Sequence, residues 1–341
     1  MDDGHAEFMP GDRFRTHGEP MGWTRSVVTS AMIFVRPEIK FELFSQLIGA
    51  RFLPSRIPPI TSRRSIFRLK GEWSGGRNGH ENQRDWGNTV LKLHEKVTLV
   101  TGGSSGIGRA TALLFAGEGA RVAIASRRVD EGLAVVEEIR RAGGEALFVK
   151  TDVSMAEDCA RMVAETVRVF GRLDVAFNNA GVEAFGKAVA DTDEASWDYV
   201  MDINLKGMFL SMKYEIPEML KAGGGAIVNM SSTYGVVASA FGGCAYHASK
   251  AGILGLTKAA ALEYAKQNIR VNAICPAFVA TAMVEKFLDE TRMTDQIKAF
   301  HPVGRLGTEK EIAEAVTFLA CDASSFMTGT ALSVDGGMAA A

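Results

Sequence analysis

The chain lacks the features that mark a disulfide scaffold, a zinc site, a membrane span or a nucleic-acid binder. Its four cysteines (Cys159, Cys244, Cys275, Cys321) are scattered, with no C-x-x-C pair. They are expected to be small core thiols in a reducing, cytoplasmic setting, and no metal site is expected. No apolar run reaches the roughly 18 residues that a membrane span needs. A net charge of −2 offers no positive excess for nucleic acid. With 341 residues, 47% hydrophobic and 23% charged, the chain has room for one large domain or two small ones.

The amino-terminal part differs from the rest. Residues 1–94 hold 14 Lys+Arg against 10 Asp+Glu, a net +4, which leaves −6 for the remainder. They are rich in Pro, Gly, Arg and Asn and show little periodicity, although 26–52 is apolar enough for a short amphipathic helix. The acidic start (Asp2, Asp3, Glu7) and the lack of an apolar segment followed by a small-residue cleavage site argue against a secretory signal. Residues 1–92 are therefore expected to be a disordered extension to a domain spanning 93–341. Two readings of it stand: an appendage ahead of a true start near Val90, or an arm for a partner.

From Lys96 the pattern changes to strand, glycine-rich turn, amphipathic helix, strand (KVTLVTGGSSGIGRATALLFAGEGARVAIASRR). Gly102, Gly106 and Gly108 follow Thr101 in a T-G-x-x-x-G-x-G spacing. Glycines there let the backbone approach a pyrophosphate, and a helix opening near Gly106 aims its N–H groups at it. Strands and helices alternate to the carboxyl terminus, with helices expected over 156–170 and 196–221. That alternation predicts an α/β fold, a doubly wound parallel sheet.

Further on, AIVNMSS reads as a buried strand with Ser231 and Ser232 at its carboxyl end, the edge where open α/β sheets bind ligands. Tyr246 and Lys250 follow at i, i+4, on one face of a helix. An ammonium held beneath a phenol stabilises the phenolate, which lowers the tyrosine pKa toward neutrality and fits it to exchange a proton with a substrate oxygen.

Five motifs now stand in order: the glycine turn, Asn178-Asn179-Ala180-Gly181 after LDVAF, Asn204 in DINLKG, the strand-end serine, and Tyr246-x-x-x-Lys250. Together they resemble the short-chain dehydrogenase/reductase family over about 93–338. The resemblance implies a Rossmann-type single domain with a short substrate lid. It also implies hydride transfer between a nicotinamide cofactor and a carbonyl or secondary alcohol. In that scheme Ser232 holds the substrate oxygen and Tyr246 is the general acid or base. Lys250 depresses its pKa and binds the nicotinamide ribose, and Asn204 perturbs its helix and holds a water. The cofactor would lie along Gly102, Ser104, Ser105, Gly106, Ile107 and Gly108, then Asp152 and Val153, then Asn178, Ala180 and Gly181. Tyr246, Lys250, Pro276, Val279 and Thr281 complete its trough. Asp152 is open to a second reading, as a cap working through Ser154, and the NNAG asparagines to one as sheet braces.

Two departures from the family pattern stand out. Ser232 precedes Tyr246 by 14 residues rather than the usual 13, so Thr233 is an alternative hydroxyl, and Ala277 replaces a glycine. The second strand ends in Ser126-Arg127-Arg128 with no acidic residue. An arginine fork suits a 2′-phosphate, so NADP(H) is preferred, through Arg127, with NAD(H) possible. A lid over 282–303 carries Met283, Phe287 and Phe300; with Phe185, Tyr234 and Phe241 it points to a moderately hydrophobic ketone or alcohol. The alternatives are an NAD-dependent dehydrogenase of a cyclic alcohol or diol, and a nucleotide-binding regulator without turnover. A homo-oligomer, dimer or tetramer, is expected through the Asn204 and Tyr246 helices; no nucleic-acid or membrane partner is.

Overall fold

The computed structural model describes residues 91–183 and 185–341. The helix expected within 26–52, and the side chains of Met283 and Phe287, lie outside the described residues.

Seven parallel strands form one sheet in the order β3-β2-β1-β4-β5-β6-β7. They are β1 (Val97–Thr101), β2 (Arg121–Ser126), β3 (Ala146–Lys150), β4 (Val175–Asn178), β5 (Gly225–Met230), β6 (Ile269–Pro276) and β7 (Ala331–Val334). Strand alternation explains the two layers around it. Val97 and Leu99 of β1 face one apolar cluster, with Met162 and Phe170 of α3 (Ala156–Phe170) and Ile216 and Met219 of α5 (Gly207–Lys221). Val100 faces the other, with Phe115 of α1 (Gly106–Gly117), Ile139 of α2 (Val129–Arg141) and Ile312 and Val316 of α9 (Glu309–Ala320). Such burial supplies most of the folding free energy, roughly 25 cal/mol per Å² of apolar surface. Strand order reverses between β1 and β4, and a cleft opens there at the carboxyl edge.

The helix expected over 196–221 is broken. α4 (Glu194–Met201) and α5 are joined by a π-helical turn, Asp202–Lys206, with Asn204 at its centre. The extra residue in that turn swings the buried Asn204 side chain out of the helix's own hydrogen bonding. Its Oδ1 accepts from Val182 N at 2.8 Å, and its Nδ2 donates to Val182 O at 2.9 Å and Ser249 Oγ at 3.2 Å. Ser249 belongs to α6 (Cys244–Tyr264), so one asparagine ties the segment after β4 to the helix that bears Tyr246 and Lys250.

Beyond β6, α7 (Ala282–Thr291) and α8 (Thr294–Ala299) form the lid. It has its own small core of Val284, Leu288 and Ile297, joined by Phe241 and Phe278. Phe241 stacks edge-on to Phe300 at 5.6 Å. Those two rings therefore pack lid against loop.

Behind the cleft lies a polar cluster inside the apolar layer. Asn178 Nδ2 donates to Glu215 Oε2 of α5 at 2.9 Å and to Asn229 Oδ1 of β5 at 3.3 Å. Asn229 Nδ2 in turn donates to Thr257 Oγ1 of α6 at 3.0 Å. Burial raises Glu215 from an ordinary 4.5 to about 7, against the opposing bond from Asn178. Folded protein thus holds a proton that unfolded chain releases above about 4.5, so this group's contribution to stability falls as pH rises from about 4.5 to about 7. Replacing Glu215→Gln should flatten that slope and raise stability relative to wild type by up to roughly 3 kcal/mol at pH 8 compared with pH 4.5. Urea unfolding at a series of pH values checks this; parallel profiles for the two proteins contradict it.

Candidate active site

A cleft of about 690 Å³ runs along the carboxyl ends of the strands. At one end it is floored by the turn between β1 and α1, where Gly102 and Gly106 take φ of +66° and +59°. Those left-handed angles are why glycine stands there. The N-terminus of α1 receives no side-chain cap from Ser105, so its first N–H groups face the cleft. Ser104, Ser105 and Ile107 line the same end. Gly108 lies beneath rather than on the wall: a Cβ there would sit 2.6 Å from Asn179 Nδ2 and press on the Gly102 carbonyl.

Arg127 and Arg128 form the rim after β2, both exposed. Arg128 is the more engaged of the two. Its Nη2 reaches Ser104 Oγ at 3.1 Å and also Ser105 Oγ, so it folds back over the glycine turn while staying exposed. Asp152 and Val153 line the cleft beyond them. Asp152 Oδ1 accepts from Ser154 N at 3.0 Å and Ser154 Oγ at 2.7 Å, a local turn rather than the helix cap of its second reading, since α3 starts after Met155 without a side-chain cap. Ala180 and Gly181 line the middle. Asn178 does not; its side chain belongs to the Glu215 cluster. Asn179 braces the turn, its Nδ2 donating to Thr101 O at 3.1 Å.

The other end holds Ser232, Tyr246 and Lys250. Ser232 Oγ accepts from Tyr234 N at 3.1 Å, and its hydroxyl lies near enough to Tyr246 to oppose the rise in that phenol's pKa. Thr233, the alternative hydroxyl, donates to Cys275 O at 3.4 Å and is spent on the sheet. The additional loop residue is absorbed before α6, where Gly242 and Gly243 take φ of +76° and +84°. Tyr246 and Lys250 are only 8% and 4% exposed. Lys250 Nζ donates to Met230 O at 3.0 Å and lies 5.5 Å from the Tyr246 ring centre.

The expected depression of the Tyr246 pKa is not found. Burial pushes it up, Glu183 pushes it further, and the nearby Ser232 hydroxyl only partly offsets them. Lys250 is lowered by burial to about 8, with Glu183 and Cys275 opposing. Removing both groups from water outweighs what they do for each other.

Pro276 and Val279 line the cleft beside Ala277. Thr281 lines it too, but its hydroxyl caps α7 by accepting from Val284 N at 3.3 Å. Asn204 stands behind Gly181, where a Cβ would meet Asn204 Oδ1 at 3.2 Å and Lys250 Nζ at 3.6 Å. Glu183, on the wall beside Tyr246, was missed by the sequence reading, as was the inward fold of Arg128. The carboxylate directly after the NNAGV segment was the available signal for Glu183. Gly108→Ala should cost roughly 1–3 kcal/mol of stability, because the backbone of the turn must move to admit one methyl. A thermal melt of the variant beside wild type measures it; an unchanged midpoint contradicts the packing described here.

The sequence matches the family model described as enoyl-(acyl carrier protein) reductase over residues 102–339. It is 42% identical to a cyclohexanol dehydrogenase of Acinetobacter sp., over 72% of this chain and 95% of that one. It is 41% identical to a 2,5-dichloro-2,5-cyclohexadiene-1,4-diol dehydrogenase of Sphingobium indicum, over 73% and 98%. Among solved structures, that of a levodione reductase superposes with a TM-score of 0.71 at 34% identity, covering 73% of this chain and 99% of the other. With its seven-stranded parallel sheet and this breadth of similarity, the chain belongs to the short-chain dehydrogenase/reductase family of oxidoreductases.

Proposed function

We propose that residues 93–341 form an NADP(H)-preferring oxidoreductase that interconverts a moderately hydrophobic ketone and its secondary alcohol. The observation that carries this is the buried grouping of Ser232, Tyr246 and Lys250 at one end of a cleft whose other end is a glycine turn with an arginine rim. A dinucleotide fits that other end. The left-handed glycines leave the backbone open, and the uncapped α1 terminus offers N–H donors to a pyrophosphate. Bound there, the nicotinamide would supply or accept the hydride. Ser232 positions the substrate oxygen. Tyr246, kept protonated by burial, gives its proton to that oxygen in reduction and takes one back in oxidation. Lys250, at about 8, is the group of the pair that titrates near neutral pH and can refill Tyr246. Asn204 holds the segment at Val182 and α6 in register, and Ser249 completes that link.

Arg127 at the end of β2, with Arg128 drawn onto Ser104 and Ser105, supports a 2′-phosphate contact and hence NADP(H). The cyclic-alcohol and diol dehydrogenases among the relatives favour a second reading, an NAD-dependent oxidation of a ring alcohol. Phe209 of α5 and Leu262 of α6 are exposed on helices suited to pairing, so the enzyme is proposed to be a homo-oligomer. Its four free cysteines fit a cytoplasmic location. Titrating full-length protein with NADPH and NADH by nicotinamide fluorescence tests the cofactor assignment. NADPH should bind at least about ten-fold tighter, and Arg127→Ala should abolish most of that preference. Tighter NADH binding overturns it in favour of the second reading.

A further inference from the structure

Among the described residues, three buried side-chain polar atoms have no hydrogen-bond partner. Two of them, Asn178 Oδ1 and Glu215 Oε1, belong to the polar cluster behind the sheet. The third, Tyr234 Oη, belongs to the substrate end of the cleft. Tyr234 is 7% exposed and follows Ser232 by two residues, in a short 3₁₀ turn, Thr233–Gly235. Its backbone is pinned by the bond from Tyr234 N to Ser232 Oγ. Its ring is clamped as well: His247 lies 5.0 Å away, Phe185 5.9 Å and Phe278 6.0 Å, the last two edge-on. A ring held on three sides cannot swing its hydroxyl out to water. Ser239 approaches closely enough to ease ionisation of the phenol, which burial opposes, yet no hydrogen bond of ordinary geometry reaches Tyr234 Oη.

A buried hydroxyl without a partner is costly, and where one persists beside a binding cleft it marks a place for a ligand atom. Tyr234 lines a side pocket of about 40 Å³ whose walls include Glu183, Phe185, Phe278 and Met338. Ser232 and Tyr246 line both this pocket and the main cleft, so the pocket opens directly off the place proposed for the reacting oxygen. The pocket is far smaller than the main cleft, so a substituent projecting from a substrate seated in the cleft is what would reach Tyr234. A phenol hydroxyl both donates and accepts, so it serves a carbonyl and a hydroxyl equally, as a reversible reaction requires.

We propose that Tyr234 is a specificity residue: its hydroxyl bonds a second oxygen on a small cyclic substrate whose first oxygen faces Ser232 and Tyr246. The substrate class is then the ring diol, hydroxyketone or dione rather than the simple ring alcohol. This rests on the function proposed above for its orientation in the cleft, but its test reads binding rather than turnover. Full-length wild type and Tyr234→Phe are saturated with the oxidised form of whichever nicotinamide dinucleotide binds tighter. Cyclohexanone and the cyclohexanedione isomers are then titrated calorimetrically. At least one dione should bind wild type about ten-fold tighter than cyclohexanone, and Tyr234→Phe should bring that ratio to within about two-fold. Equal binding of all ketones by wild type, or a preference that survives in Tyr234→Phe, overturns the inference. If the preference appears and is lost as described but the protein reduces none of these ketones with reduced cofactor, the ketone-reducing function proposed above fails and the role of Tyr234 stands.

Discussion

Desolvation of two ionisable side chains, one helical turn apart, is the constraint on which the Tyr246 end of the cleft depends. Tyr246 and Lys250 project from the same face of α6 into a cleft that leaves each less than a tenth exposed. Water would hold a phenol and an ammonium near their ordinary values; here burial favours the uncharged form of both. The phenol stays protonated and the amine is brought to about 8. Holding that arrangement takes several elements at once. Met230 at the end of β5 accepts from Lys250, Asn204 reaches from the π-helical turn to Val182 and Ser249, and the Ser232 hydroxyl lies near Tyr246.

The sheet explains why these groups meet at one edge. Parallel pairing sends the carboxyl ends of β1, β2, β4, β5 and β6 the same way, and reversal of strand order between β1 and β4 parts the loops that follow them. The two ends of the cleft then ask different things of the chain. At the turn before α1, backbone must be bare, which requires glycine at left-handed φ and forbids a methyl at Gly108. At the far end, side chains matter, and aromatic rings from the loops after β4, β5 and β6 wall off a small side pocket.

Much of this was legible in the sequence because it is local. The glycine spacing and the i, i+4 pair on α6 depend on near neighbours alone. The helix expected over 156–170 is α3 within the same limits. What the sequence did not reveal depends on partners far along the chain. Asn178 looked like a cofactor contact until Glu215, 37 residues on, was seen to hold it behind the sheet. That Arg128 would lie over Ser104 and Ser105, more than twenty residues back, was likewise not visible. The direction of the Tyr246 pKa also failed to follow from spacing: proximity to a lysine is visible in a sequence, and the depth of burial that outweighs it is not. Tyr234 read only as an aromatic contribution to hydrophobicity, since the isolation of its hydroxyl exists only once three rings have closed around it.

The central claim is that the Tyr246 hydroxyl delivers the proton. Its most direct test is Tyr246→Phe, a change of one oxygen in a packed ring, assayed for cofactor binding and for single-turnover ketone reduction on the same preparation. The account predicts cofactor affinity within about three-fold of wild type and reduction slowed by at least about a hundred-fold. Reduction at the wild-type rate by a variant that binds cofactor normally would contradict it.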